Sequence, residues 1–196
     1  MLTGMIRLGD ERLETVWQEL NSRQATVFVH PNAYAPGTDG RPSPLIEVAF
    51  DTARTIVDMT YKRVFMRYPN INFVFAHCGG ALPVLTGRLT LLGAEPWIPN
   101  PHNVSSQEIR QQLESLWFDC AATAETGLEP AAKVAGIGKV VYGADCNVPC
   151  STESTMEINR GHVRDISRAL SGDADLVGRN GWKLFPAARE RAFPEN

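Results

Sequence analysis

Residues 71–80, Ile71-Asn72-Phe73-Val74-Phe75-Ala76-His77-Cys78-Gly79-Gly80, decide how the rest of the chain is read. A nearly unbroken apolar run of strand length meets a histidine, and two glycines follow at once. That is the pattern of a buried strand whose C-terminal end delivers an imidazole into a loop. Two other stretches have the same shape. Ala25-Thr26-Val27-Phe28-Val29-His30-Pro31 ends in a histidine, and Lys139-Val140-Val141-Tyr142-Gly143-Ala144-Asp145 ends in an aspartate. Three buried strands that each hand a metal-ligand or acid–base residue to the same end point to one site. Trp117 to Ala121 reads as a further short strand.

Helices fill the intervals. Asp10 is placed to cap a helix from Glu11 to Ser22, with Leu13, Val16, Trp17 and Leu20 as its apolar stripe. A Gly/Pro-rich loop spans Asn32 to Pro44, and one long helix is expected from Leu45 to Met66, stopped by Tyr68-Pro69-Asn70. A short helix from Ala81 to Leu92 carries Arg88, and a second Pro-rich loop runs from Glu95 to Val104. Ser105 and Glu108 form a capping box for a helix reaching Leu116. Further helices are expected over Leu128 to Ala135, Ser154 to Leu170 and Asp173 to Asn180, with a loosely held polar tail after Pro186. Strict alternation of strand and helix implies an α/β fold with a parallel sheet. Residues presented at several C-terminal strand ends suit either a (β/α)8 barrel or an open doubly wound sheet. His-Pro-Asn-Ala-Tyr after the first strand is not a dinucleotide-binding fingerprint, which favours the barrel. Four β–α units make half of an eight-fold barrel, which takes roughly 250 residues when complete.

The 196 residues, 43% of them hydrophobic and 21% charged, suffice for one core, and residues 1–196 read as a single domain. A net charge of −3 gives no reason to expect nucleic acid or an anionic membrane as partner. No apolar run approaches the roughly 20 residues of a bilayer span, and the first ten residues lack a signal peptide's apolar centre. Cys78, Cys120, Cys146 and Cys150 have no CxxC spacing and read as reduced thiols of a cytoplasmic protein; a local Cys146–Cys150 bridge is the alternative.

Several motifs, in order along nearly the whole chain, give it a family resemblance. They are Leu8-Gly9-Asp10 with Gln18-Glu19-Leu20-Asn21, Phe28-Val29-His30-Pro31, Ala76-His77-Cys78-Gly79-Gly80-Ala81-Leu82-Pro83 with Gly87-Arg88, Tyr142-Gly143-Ala144-Asp145, and the closing Asn180 to Pro186. Together they resemble the amidohydrolase-related decarboxylases, the group of aminocarboxymuconate-semialdehyde and 6-methylsalicylate-type decarboxylases. The resemblance implies a metal-dependent-hydrolase TIM (β/α)8 barrel, of which these segments would be strands five to eight, with no counterpart of the N-terminal half. It implies that His30 and Asp145 bind a divalent metal, Zn²⁺ as the expected ion and Mn²⁺ as the alternative. By the same resemblance His77 sits beside the metal and handles protons or polarises the substrate; with a metal in place, the ring carbon would be protonated by Asp145, His77 or a metal-bound water. Arg88 matches an arginine that can reach across a homodimer interface to a substrate carboxylate. Gly80 stands where resorcylate-type members carry a glutamate, which places this chain with the Gly-Gly subgroup.

One departure bears on the chemistry. The family's first strand supplies a His-x-His or Glu-x-His pair, whereas the four histidines here, His30, His77, His102 and His162, contain neither pattern. A catalytic zinc site ordinarily has three protein ligands. Three readings therefore stand. One is a carboxy-lyase acting on a small aromatic or unsaturated carboxylic acid. Another is an inactive homologue that binds or pairs with another chain, with a hydrolase of the same superfamily as the third. The remaining residues have plainer readings: Cys78 and Cys146 as small buried thiols, Asp119 as structural, His102 and His162 without a role. Trp97 is either an aromatic stacking surface or a loop anchor. A half barrel with two open sheet edges and an uncovered apolar face predicts dimerisation or poor solubility.

Overall fold

In a computed structural model, which describes residues 6–32, 37–146 and 151–194, the sheet is parallel and four-stranded in the order β1-β2-β3-β4. The strands are β1 (Thr26–Val29), β2 (Asn72–Phe75), β3 (Trp117–Asp119) and β4 (Val140–Val141). Phe28 pairs with Val74, Val74 with Trp117, and Asp119 with Val141. Side chains alternate across this register. Val27, Val29, Phe73, Phe75, Phe118 and Val140 point into the main core, while Val74, Trp117 and Val141 form a second cluster with Leu184 on the other face.

The helices cover the first face. They are α1 (Glu14–Ser22), α2 (Glu47–Tyr61), α3 (Val64–Arg67), α4 (Leu82–Leu92), α5 (Ser106–Ser115), α6 (Ala124–Ala135), α7 (Glu153–Ser171), α8 (Leu176–Leu184) and α9 (Pro186–Ala192). Ile56 and Met59 of α2, Ile109 and Leu113 of α5 and Leu128 of α6 are buried against Phe75 and Phe118. Each such side chain contributes about 1.5–3 kcal/mol by leaving water. The second face is lightly covered. Thr26 Oγ1 donates to the Leu184 carbonyl at 3.5 Å, closing its lower end, while Phe28 stays 55% exposed. This is the face that the expected barrel would turn inward, and among the described residues β1 and β4 each pair on one edge only.

Several sequence expectations need correction. The helix expected over Leu45 to Met66 is two helices, because Arg63 adopts a left-handed conformation (φ 54°) between α2 and α3. A short 3-10 turn, Glu11–Leu13, precedes α1; its Asp10 cap is present, accepting from the Arg12 N–H at 3.0 Å. The helix expected from Leu128 begins at Ala124, since the Ala124 N–H is capped from α7 by Asn159 Oδ1 at 3.0 Å. The last predicted helix is displaced to Leu176–Leu184, with Asp173 in the turn before it. The tail after Pro186 is helical: Pro186 opens α9, and the Phe193 ring closes edge-on against Trp182 at 5.7 Å. The Ser105–Glu108 capping box is present as expected.

Candidate metal and catalytic centre

Parallel strands bring their C-terminal ends to one rim, and the predicted residues meet there. His30 directly follows β1, His77 lies two residues past β2, and Asp145 lies four past β4. Asp145 Oδ1 is 3.5 Å from His30 Nε2, and Oδ2 is 3.6 Å from His77 Nε2. The two imidazoles stack edge to face at 5.0 Å. One ligand atom from each of the three residues falls within 4.8 Å of the other two. His77 and Asp145 are largely enclosed, whereas the His30 side chain is 43% exposed and opens the site to solvent.

The backbone that delivers these groups is bent against its usual preference. His77 and Cys78 are consecutive left-handed residues (φ 55° each), and Asp145 is a third (φ 52°). Each costs roughly 1–2 kcal/mol for an ordinary L-residue, less for Asp, and such residues cluster at functional turns. Gly80 (φ 62°) completes the first turn: a Cβ there would lie 2.2 Å from the Ala49 carbonyl oxygen, so only glycine lets β2 exit against α2. The N–H of His77 is held by Asp119 Oδ1 at 2.8 Å, and the N–H of Ala121 by the same oxygen at 3.0 Å. Burial pushes the Asp119 carboxyl above its usual range, opposed by those two N–H donors and by the nearby His77 and His30. The sequence reading gave Asp119 no part in the site.

The donor set suits a divalent cation. Two imidazole nitrogens and a carboxylate at this spacing form a three-ligand constellation of the kind zinc sites use, open to solvent on the His30 side. His77 Nδ1 is buried without a hydrogen-bond partner among the described residues, so the ring's polarity is not absorbed by the fold. A cleft of about 320 Å³ includes His30 and is lined by Arg7, Asp51 and Arg54, the last held by Asp51 at 2.8 Å. Arg54 is a cation near the site that the sequence reading passed over. Nothing in its helical surroundings distinguishes it from a solvated surface arginine.

Arg88 is exposed on α4 and makes no ion pair or hydrogen bond among the described residues. It stands amid exposed Val84, Leu85 and Leu91 of the same helix, with exposed Trp97 in the following loop. Cys78 is a buried free thiol, as expected, and Cys120 is buried and free as well. Cys146 is exposed, contrary to the expectation of burial, because it lies beyond β4 in the rim turn. Cys150, and with it the alternative Cys146–Cys150 bridge, lies outside the described residues.

The chain belongs to the amidohydrolase family, whose profile (Amidohydrolase) matches residues 2–193. It is 30% identical to decarboxylase yanB of Aspergillus niger over 94% of this chain and 52% of that protein. It is 32% identical to 6-methylsalicylic acid decarboxylase acuB of Aspergillus aculeatus over 91% of this chain and 56% of that one. A crystal structure of a dihydroxybenzoic acid decarboxylase from Polaromonas sp. JS666, with bound manganese and the inhibitor 2-nitroresorcinol, superposes with a TM-score of 0.77 at 15% identity. That superposition covers 97% of this chain and 58% of the other. The chain thus spans about half the length of these relatives, and its four-stranded parallel sheet with helices is part of an amidohydrolase (β/α)8 barrel.

Proposed function

We propose that this chain carries the catalytic rim of a metal-dependent decarboxylase acting on a small aromatic carboxylic acid of the salicylate type. The observation that carries the reading is the convergence of His30, His77 and Asp145 at one barrel rim, in a family whose similar members bear decarboxylase names. His30 and Asp145 would hold the metal, Zn²⁺ or Mn²⁺. When bound, the ion supplies Lewis-acid polarisation of the substrate's oxygen atoms.

The protein's own groups then handle the proton. Asp145 faces the imidazoles of His30 and His77 at 3.5 and 3.6 Å, so an approach of about half an ångström would let a proton pass between its carboxylate and the Nε2 of His77. Delivered to the ring carbon that bears the carboxylate, that proton forms a C–H bond. The C–C bond to the carboxylate then breaks, CO₂ leaves, and the electron pair returns to the ring. Arg88 would pair bidentately with the acid group from a second copy of the chain, since its own helix presents it to solvent amid Val84, Leu85 and Leu91. The buried free thiols Cys78 and Cys120 suit a reducing, cytoplasmic setting.

A binding scaffold without turnover is the competing reading. Metal analysis after exhaustive dialysis, paired with CO₂ release from salicylate-type acids, separates the two. Expected is about one Zn²⁺ or Mn²⁺ per chain, lost together with CO₂ release in His30→Ala and Asp145→Ala. Metal content that these substitutions leave unchanged, or a chain that retains none, overturns the decarboxylase reading.

A further inference from the structure

We infer that Asp119 is the positioning residue of this rim: one buried carboxylate holds both backbone arms that carry His77 and Asp145. Its geometry stands on hydrogen bonds and close contacts, and its consequence for the metal rests on the function proposed above.

Asp119 is the last residue of β3 and only 5% exposed. By strand alternation it lies on the same face of the sheet as Trp117. The neighbouring ladder ends just before His77: the Ala76 N–H is taken by the Val29 carbonyl at 3.1 Å, and the next N–H, that of His77, leaves the sheet. Asp119 Oδ1 takes it at 2.8 Å, at the point where the chain enters two consecutive left-handed residues. The carboxylate thus replaces the missing ladder bond and fixes the φ that aims the imidazole. Its second donor, the N–H of Ala121, fixes the carboxylate itself.

The other arm passes directly over the same group. A Cβ at Gly143, two residues before Asp145, would lie 2.8 Å from Asp119 Cγ and 3.0 Å from Oδ2. The exit from β4 is therefore seated on the carboxylate with no side chain between them. A residue with a purely space-filling role here would be apolar. A buried carboxylate persists only because it is hydrogen-bonded and compensated, and both of its compensating donors belong to rim turns. An orienting partner of this kind acts on ligand geometry without touching the ligand.

The experiment compares the chain with Asp119→Asn, which keeps an acceptor oxygen, and Asp119→Ala, which does not. Two readouts are taken: Zn²⁺ affinity by competition with a chromophoric chelator, and hydrogen exchange of the His77 amide. Zn²⁺ binding should weaken about 10- to 100-fold in Asp119→Ala, with faster exchange at His77, while Asp119→Asn stays close to the parent on both. A lower melting temperature in Asp119→Ala with parental Zn²⁺ affinity and parental His77 exchange overturns the inference and leaves Asp119 a stability residue. Where the parent chain itself binds no Zn²⁺, the metal-centre reading fails, and His77 exchange alone decides the positioning role: faster in the alanine variant only, it stands; equal in all three, it falls. Should Asp119→Ala not fold, Gly143→Ala carries the same test. It leaves the carboxylate in place but pushes on it, and parental values on both readouts overturn the inference.

Discussion

Cys78 follows His77 directly, yet burial takes its thiol out of the site's chemistry. The same burial raises the Cys120 thiol to about 12 and pushes that of Cys78 higher still, so neither offers thiolate at neutral pH. Iodoacetamide on the folded chain at pH 8 should therefore alkylate Cys146 while sparing Cys78 and Cys120, which react only after denaturation; peptide mass mapping reads each cysteine separately. Modification of Cys78 in the folded state would show that the turn opens. At this scale His30, His77 and Asp145 were legible because each ends an apolar run, so position along the chain translated into position on a rim. Asp119 was not legible. It also ends a strand, but its partners are backbone N–H groups, which leave no trace in residue type, and one of them lies 42 positions away.

The start of α5 is written locally and was read correctly, whereas the start of α6 is finished by a tertiary contact and was not. The α5 capping box needs only Ser105 and Glu108, three residues apart. There Glu108 is held below its ordinary 4.5 by the Ser105 N–H and hydroxyl, with a lesser contribution from Arg63. A carboxyl whose folded pKa is depressed contributes stability that is fully present above its unfolded value and lost as pH falls through the folded one. Urea denaturation should show the parent losing stability below pH 4.5, with a shallower loss in Glu108→Gln and a lower stability for that variant at pH 7. The start of α6 depends instead on Asn159, 35 residues on. Its Oδ1 accepts from Ala124 and its Nδ2 donates to the Cys120 carbonyl at 2.9 Å. Asn159→Ala strands a buried donor and a buried acceptor and should cost about 2 kcal/mol or more, read as a lower urea midpoint at unchanged slope. The break at Arg63 had no local signal either, since helix-forming residues run on both sides of it.

For the molecule as a whole, alternation of strands and helices made the parallel sheet and the rim where His30, His77 and Asp145 meet legible before any coordinates. Surfaces were less so, because an apolar helix residue looks the same whether it faces a core or solvent. On α4 the exposed residues Val84, Leu85, Arg88 and Leu91 lie at helical spacing on one side. If that side meets a second copy, as proposed, Val84→Glu combined with Leu91→Glu should raise the dimer dissociation constant by about tenfold or more without altering the fold. Sedimentation equilibrium checks this, and a parent chain that is monomeric at all concentrations removes the proposed role of Arg88 in trans.

Gly80 carries a consequence for how this rim can change over generations. Its φ of 62° and the 2.2 Å approach of a hypothetical Cβ to the Ala49 oxygen mean that α2 rests on bare backbone at this point. An acidic side chain placed at position 80 to serve His77 therefore cannot arrive by one codon change. It requires α2 to retreat first, so a centre with an acid at position 80 is separated from this one by an intermediate that packs worse than either. The obstacle is a turn that only glycine adopts easily, packed against a helix, and not the chemistry.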